Sequence, residues 1–180
     1  LMTGTERAAE PAMEKLILMA FCDYYIQYEP ENCFVAADEK NQPIGYILCA
    51  DNAEEWRRVF HDKYIAPASN DGVRQFLEGT SATPMKYAQQ YPAHLHIDIF
   101  PAYQRMGLGT KLMDALILHL RGKGIPGLML SVGNDNEQGI RFYQKYGFTV
   151  LENLPHETAM GIVLSYPGTA NGKEQEDGGK

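Results

Sequence analysis

Gln104-Arg105-Met106-Gly107-Leu108-Gly109-Thr110 is the stretch whose reading decides the fold. Just upstream, His94-Leu95-His96-Ile97-Asp98-Ile99-Phe100 alternates polar and apolar residues as a strand does. Downstream, Leu108, Leu112, Leu116 and Leu120 fall on one face of a helical pattern that runs to Lys123, with Met113 and Ile117 beside them. Gly122 and Gly124 stop that helix, and Pro126 follows. A strand, a glycine turn and a helix together cradle an anion. The glycines let backbone N–H groups approach it, and the helix N-terminus adds its dipole. Two familiar glycine loops fail the test. The Gly-Lys-Ser/Thr ending of a nucleoside triphosphate loop is absent, and Leu112 stands where the dinucleotide fingerprint needs its third glycine.

The pattern extends both ways from this centre. Residues 127–132 read as the next strand, and a strand–helix–strand run closes by a right-handed crossover, so the two strands should be parallel. Residues 135–146 read as a helix ended by Gly147, with Asn134 and Glu137 resembling a capping pair. Residues 148–151 and 159–164 should close the sheet as antiparallel strands. Toward the N-terminus, 44–50 and 33–37 form a hairpin, preceded by a helix over 13–28 that Pro30 ends. Between the hairpin and the central strand lies an excursion over 51–92. It holds a helix at 54–64 with Trp56, Val59, Phe60 and Tyr64 on its apolar side, a short helix at 73–77, and loop at 79–84. An excursion of this length reads either as the wall of a binding site or as a cover over one sheet face. Residues 1–12 should be loose, and 167–180, rich in glycine and charge, disordered, leaving a single domain over 1–166.

A chain of 180 residues suits one domain with an adequate core. Its net charge of −7 argues against nucleic acid or an anionic membrane as partner. The same acidity suits a cationic amine and is equally an ordinary solubility feature. Cys22, Cys33 and Cys49 have no metal-ligand spacing and read as free thiols in apolar surroundings. No apolar run reaches the length of a membrane span and no signal peptide is visible, so a reducing, cytoplasmic setting is the default expectation.

Two motifs carry a resemblance. Gln104-Arg105-x-Gly107-x-Gly109 is followed by Asn136-Glu137-Gln138-Gly139-Ile140-Arg141-Phe142-Tyr143-Gln144-Lys145-Tyr146-Gly147-Phe148. In this order and at this spacing they resemble the acetyl-CoA motif (Gln/Arg-x-x-Gly-x-Gly/Ala) and the later Asn-x-x-Ala-x-x-Phe-Tyr-x-x-x-Gly-Phe segment of the GNAT superfamily of N-acetyltransferases. The resemblance implies an α/β fold: a mixed, mostly antiparallel sheet splayed between two parallel strands and flanked by helices. It implies acetyl-CoA as co-substrate and acetyl transfer to a primary amine, on a small molecule or a peptide, by direct attack in a ternary complex. Met106, Gly107, Leu108, Gly109 and Thr110 would give backbone donors to the pyrophosphate, with Gln104 in the same turn. Arg105 would add a charge contact or lie solvated on the surface. Ile99 and Phe100 would bind the pantetheine arm as an added strand, and a backbone N–H near residues 97–99 would polarise the thioester oxygen. Tyr143 takes the position of the family's general acid, or else packs beside Phe142. Asn136 matches an asparagine near the pantetheine amides, or else begins a helix.

His94, His96 and Asp98 share one face of the central strand and are the candidates for removing the amine's proton, against structural hydrogen bonding. A His-x-His pair on this strand is similar to that of arylalkylamine acetyltransferases, although its spacing to the glycine motif is one residue shorter here. His119 and His156 read as surface histidines. The family's opening strand is not visible in a sequence that begins at Leu1, and is expected to be missing from it. The run Tyr91-Pro92-Ala93-His94-Leu95-His96-Ile97-Asp98-Ile99 also resembles the acetyltransferase-like domain of O-GlcNAc hydrolases. That branch implies the alternative of a non-catalytic binding or interaction module, against which the intact Gly107 and Gly109 argue.

Overall fold

The computed structural model describes residues 11–164. Helix α1 (Pro11–Leu18) passes through a π-helical turn (Met19–Asp23) into α2 (Tyr24–Tyr28). The extra residue wound into that turn carries Tyr24 and Tyr25 together into the interior and leaves Tyr28 exposed. Strands β1 (Phe34–Ala37) and β2 (Pro43–Ala50) form the expected hairpin. In its turn, Asp38 Oδ1 accepts the N–H groups of Lys40 and Gln42, and Asn41 takes the left-handed conformation that asparagine tolerates.

The excursion that follows differs from the expectation. Helix α3 (Ala53–Phe60) is capped by Asn52, whose Oδ1 accepts the N–H groups of Glu54 and Glu55. Helix α4 (Asp71–Tyr87) then runs unbroken through the stretch expected to be loop, with Pro84 inside it. An interior proline costs a helix about 3 kcal/mol. Burial offsets this here: Leu77 and Pro84 are both buried, and burying a leucine side chain is worth roughly 1.5–3 kcal/mol. Tertiary burial overrides the local loop signal.

Strand β3 (Ala93–Ile99), helix α5 (Leu108–Gly122), strand β4 (Gly127–Gly133), helix α6 (Glu137–Tyr146) and strands β5 (Thr149–Asn153) and β6 (Glu157–Val163) complete the described chain. The sheet order is β1-β2-β3-β4-β6-β5, and every neighbouring pair is antiparallel except β3–β4. That parallel pair is joined only at Ala93↔Leu128 and His94↔Met129. On its other side β3 stays paired with β2 from Ala50↔His94 to Gly45↔Ile99. The sheet therefore opens between β3 and β4 beyond His94.

Each sheet face has its own core. On one, Leu112, Met113, Leu116 and Leu120 of α5 pack on Ile47, Leu95, Leu128 and Leu130, with Phe142 and Tyr143 of α6 against them. On the other, Tyr24, Tyr25, Trp56, Phe60 and Leu77 pack on Leu48 and Ala50. The excursion thus covers one face of the sheet. Helix α1 already begins at Pro11, inside the segment expected to be loose; the expectations for residues 1–10 and 167–180 lie outside the described residues.

Candidate active site

The gap exposes one side of β3. Phe100 N–H bonds to Ile44 O at 3.0 Å, on the β2 side. Backbone alternation then turns the N–H and C=O groups of Ile97 and Ile99 the other way, toward the gap. Ile99 N–H is bound by Asp98 Oδ1 at 2.8 Å, and Ile99 O accepts Gln104 Nε2 at 2.9 Å. Ile97 is left as the gap-facing residue with neither group so engaged among the described residues. A cavity of about 600 Å³ opens here, bordered by Ile97, Ile99, Gly109, Asn136 and Tyr143.

The glycine turn forms one end of this cavity. Arg105 (φ 63°) and Gly107 (φ 80°) both take left-handed conformations, which swing the chain back into α5. Lys111 N–H closes the first helical turn onto Gly107 O. The N–H groups of Leu108, Gly109 and Thr110 therefore have no acceptor within the helix. Gly107 is needed for its conformation, since a Cβ there would meet open space, whereas a Cβ on Gly109 would lie 3.2 Å from the Phe142 ring. Arg105 is exposed, with Nη2 3.4 Å from Gln138 Oε1, and the Met106 side chain is exposed too.

Helix α6 brings two more predicted residues to the same cavity. Its cap is Asn136, whose Oδ1 accepts Gly139 N–H at 2.8 Å, and not Asn134, which donates to Leu154 O instead. The motif carries alanine where this chain has Gly139. A Cβ at that position would lie 2.7 Å from Asn136 Nδ2, so the glycine accompanies this capping arrangement. The Tyr143 hydroxyl makes no hydrogen bond among the described residues. Burial, helped by the nearby Asp98 charge, pushes its pKa up to about 12, so it holds its proton at neutral pH.

Behind the gap lies a second cavity of about 530 Å³, bordered by Tyr25, His94, His96, Phe21, Phe76 and Glu157. His94 is buried and His96 partly so. Burial pushes His94 down to about 3, reinforced by His96, and His96 down to about 4; both are neutral at pH 7. Each places Nε2 3.0 Å from the Tyr25 hydroxyl. Sequence reasoning missed Tyr25. It stands four residues after Phe21 on the apolar stripe, but its partners are 69 and 71 positions away, and no local signal marks them. Trp56 Nε1 and His94 Nδ1 are buried without a hydrogen bond, their rings 4.5 Å apart. His156 is exposed at this cavity's rim, while His119 is no surface residue: it is partly buried, with Nε2 2.8 Å from Asn32 Oδ1. All three cysteines are free thiols, Cys49 buried and the others partly so, and none borders either cavity.

A sheet parted between its parallel strands, a glycine turn heading a helix beside the gap, and a separate cavity behind it define the class of α/β acyltransferases. The chain belongs to the acetyltransferase (GNAT) family, whose model matches residues 4–148; acetyl-CoA is the co-substrate of that family. Mycothiol acetyltransferase of Thermomonospora curvata is 31% identical over 102 residues, 57% of this chain and 32% of that protein. The L-methionine sulfoximine/L-methionine sulfone acetyltransferase of Salmonella typhimurium is 30% identical over 84 residues, 47% of each chain. This chain thus spans 32% and 47% of these relatives' lengths. Among solved structures, SsHAT superposes with a TM-score of 0.70 at 25% identity, over 83% of this chain and 81% of that one. Ard1 from Thermoplasma volcanium shares the fold, with a TM-score of 0.52 at 20% identity over 88% of this chain and 82% of that one. No helix among the described residues is long and apolar enough to cross a membrane.

Proposed function

We propose that this chain transfers an acetyl group from acetyl-CoA to a primary amine by direct attack in a ternary complex. The observation that carries the reading is the placement of two adjacent residues. Ile97 borders the cavity with the glycine turn, and His96 borders the cavity behind the gap. An acyl carrier in the first and an amine in the second would meet where β3 and β4 part.

The residues present fit the carrier. Three helix-end N–H groups and a glycine whose Cβ would crowd Phe142 suit a pyrophosphate, with Met106 and Gly107 completing the backbone turn and Arg105 adding charge. The pantetheine arm would pair with β3 as a guest strand, and Asn136 stands beside its path. Phe100 contributes less than expected. Its N–H is spent on Ile44 and its carbonyl accepts from Tyr103, so strand addition rests first on Ile97. Tyr143, protonated at neutral pH, donates to the sulfur as the C–S bond breaks and the new N–C bond forms. It regains its proton from solvent. His96, backed by His94, meets the amine and handles the proton it loses, with Asp98 as the neighbouring carboxylate on the strand.

Helix α4 supplies one wall of the amine's cavity through Phe76 and Thr80, besides covering the sheet. Among the described residues that border this cavity there is no lysine or arginine, and Glu157 is the one carboxylate. That lining suits a small amine with an apolar body. The test is thiol release from acetyl-CoA against a panel of primary amines. Amine-dependent release supports the reading. No release, together with an unchanged melting curve at saturating acetyl-CoA, would leave the non-catalytic module.

A further inference from the structure

The Tyr25 hydroxyl lies within hydrogen-bond distance of two imidazoles at once, 3.0 Å from Nε2 of His94 and 3.0 Å from Nε2 of His96. Tyr25 is 1% exposed, so this arrangement is fixed by packing, and the π-helical turn just before α2 sets its position. A phenol has one proton. It can donate to only one of the two nitrogens, and the other nitrogen must donate to its oxygen. With both imidazoles neutral, one carries its proton on Nε2 and the other on Nδ1. The two histidines are held in opposite tautomers.

The geometry also decides which nitrogen can meet a substrate. Both Nε2 atoms are spent on Tyr25, and His94 Nδ1 is buried, shut off from solvent and without a hydrogen bond among the described residues. Only His96 Nδ1 remains. If His96 takes a proton there, it carries protons on both nitrogens and must donate from Nε2 to Tyr25. Tyr25 must then donate to His94 Nε2, and His94 must hold its own proton on Nδ1. The protonated state of His96 therefore selects one tautomer of His94, through a single hydroxyl.

We propose that Tyr25 is a positioning residue of the transfer site: it holds His96 with Nδ1 free for the amine and ties the tautomer of His96 to that of His94, so that the two imidazoles act as one proton-handling unit. This rests on the reading that His96 meets the amine.

The test combines ¹⁵N NMR of histidine-labelled protein with steady-state kinetics. Signals are assigned by His94→Gln and His96→Gln. The wild type should show His94 and His96 in opposite tautomers. Tyr25→Phe should abolish that pairing and lower kcat by roughly tenfold or more, with the KM for acetyl-CoA changed less than about twofold, since the lost group acts on the amine side. Should Tyr25→Phe fail to fold, His94→Gln gives the same information, because glutamine can donate or accept and so releases the constraint on His96. The same tautomer on both histidines of the wild type would overturn the proposal. So would unchanged His96 signals in both variants, or an unchanged kcat in folded Tyr25→Phe. The NMR arm needs no turnover: a wild type inactive toward every amine would overturn the functional reading, while the tautomers still decide the bridge.

Discussion

The ring of Phe142, on α6, comes to 3.2 Å from the point where a β-carbon on Gly109 would stand, at the head of α5. The two motifs of the sequence, more than thirty residues apart, thus meet in space, here and where Arg105 reaches Gln138. Gly109→Asp should intrude on that contact and place a negative charge among the N–H groups proposed to hold a phosphate. Acetyl-CoA should raise the Tm of the wild type by mass action and fail to do so for the variant. An equal shift in both proteins would show that the turn does not bind the carrier.

Tyr143→Phe removes one hydroxyl and nothing else. Binding of acetyl-CoA, read as the same Tm shift, should survive. Turnover should fall by roughly 10²-fold if that hydroxyl protonates the leaving thiolate. Because burial holds the group near 12, turnover should show no descending limb from it at or below roughly pH 10. Full activity in the variant would reduce Tyr143 to packing.

The histidine pair predicts acid sensitivity of the fold itself. Both folded pKa values lie below the ordinary histidine value of 6.5, near 3 for His94 and near 4 for His96. The unfolded chain therefore binds protons that the folded chain refuses. Stability should be complete above about pH 6.5 and fall as pH drops toward 4, by up to about 1.4 kcal/mol per pH unit for each histidine. Between pH 6.5 and 5, before most carboxylates titrate, urea midpoints should decline for the wild type and much less for the His94→Gln/His96→Gln double variant. Parallel declines would place the effect elsewhere.

Much of this was legible from local pattern. The glycine turn, the stripe of α5 and the alternation of β3 are short-range signals, and they carried the strand, the helix and the parallel pair, while the fold class followed from the resemblance of the two motifs. What was not legible depends on burial or on distant partners. Pro84 reads as a breaker until Leu77 is seen buried beside it. Asn134 and Asn136 are both plausible caps in sequence, and only backbone geometry chooses Asn136. Phe100 looks available for strand addition until its N–H is found on Ile44. Tyr25 carries no local signal for this contact, since His94 and His96 stand 69 and 71 positions further along the chain.

The last prediction concerns whether His94 and His96 act singly or together in turnover. Both are hydrogen-bonded to one hydroxyl, and both are held neutral by burial. Either alone is a weak proton acceptor for an ammonium, which favours an amine that arrives uncharged and loses its proton during attack. His96→Gln keeps hydrogen-bonding capacity but cannot take a proton at neutral pH, so it should lower kcat with little change in Tm. His94→Gln has no route to the amine except through Tyr25 and His96, yet should lower kcat as well. If the three side chains form one unit, the double variant should lose little more than the worse single variant, because members of one proton path are not additive. Two independent structural histidines predict something else. Each substitution would then cost stability of roughly 1 kcal/mol or more, the usual penalty for breaking a buried hydrogen bond, while kcat per folded molecule held. Measuring kcat and urea midpoints on the same four proteins separates the two. Should both single variants keep full kcat, a histidine role in proton removal would be abandoned, and Asp98 or bound water would take its place.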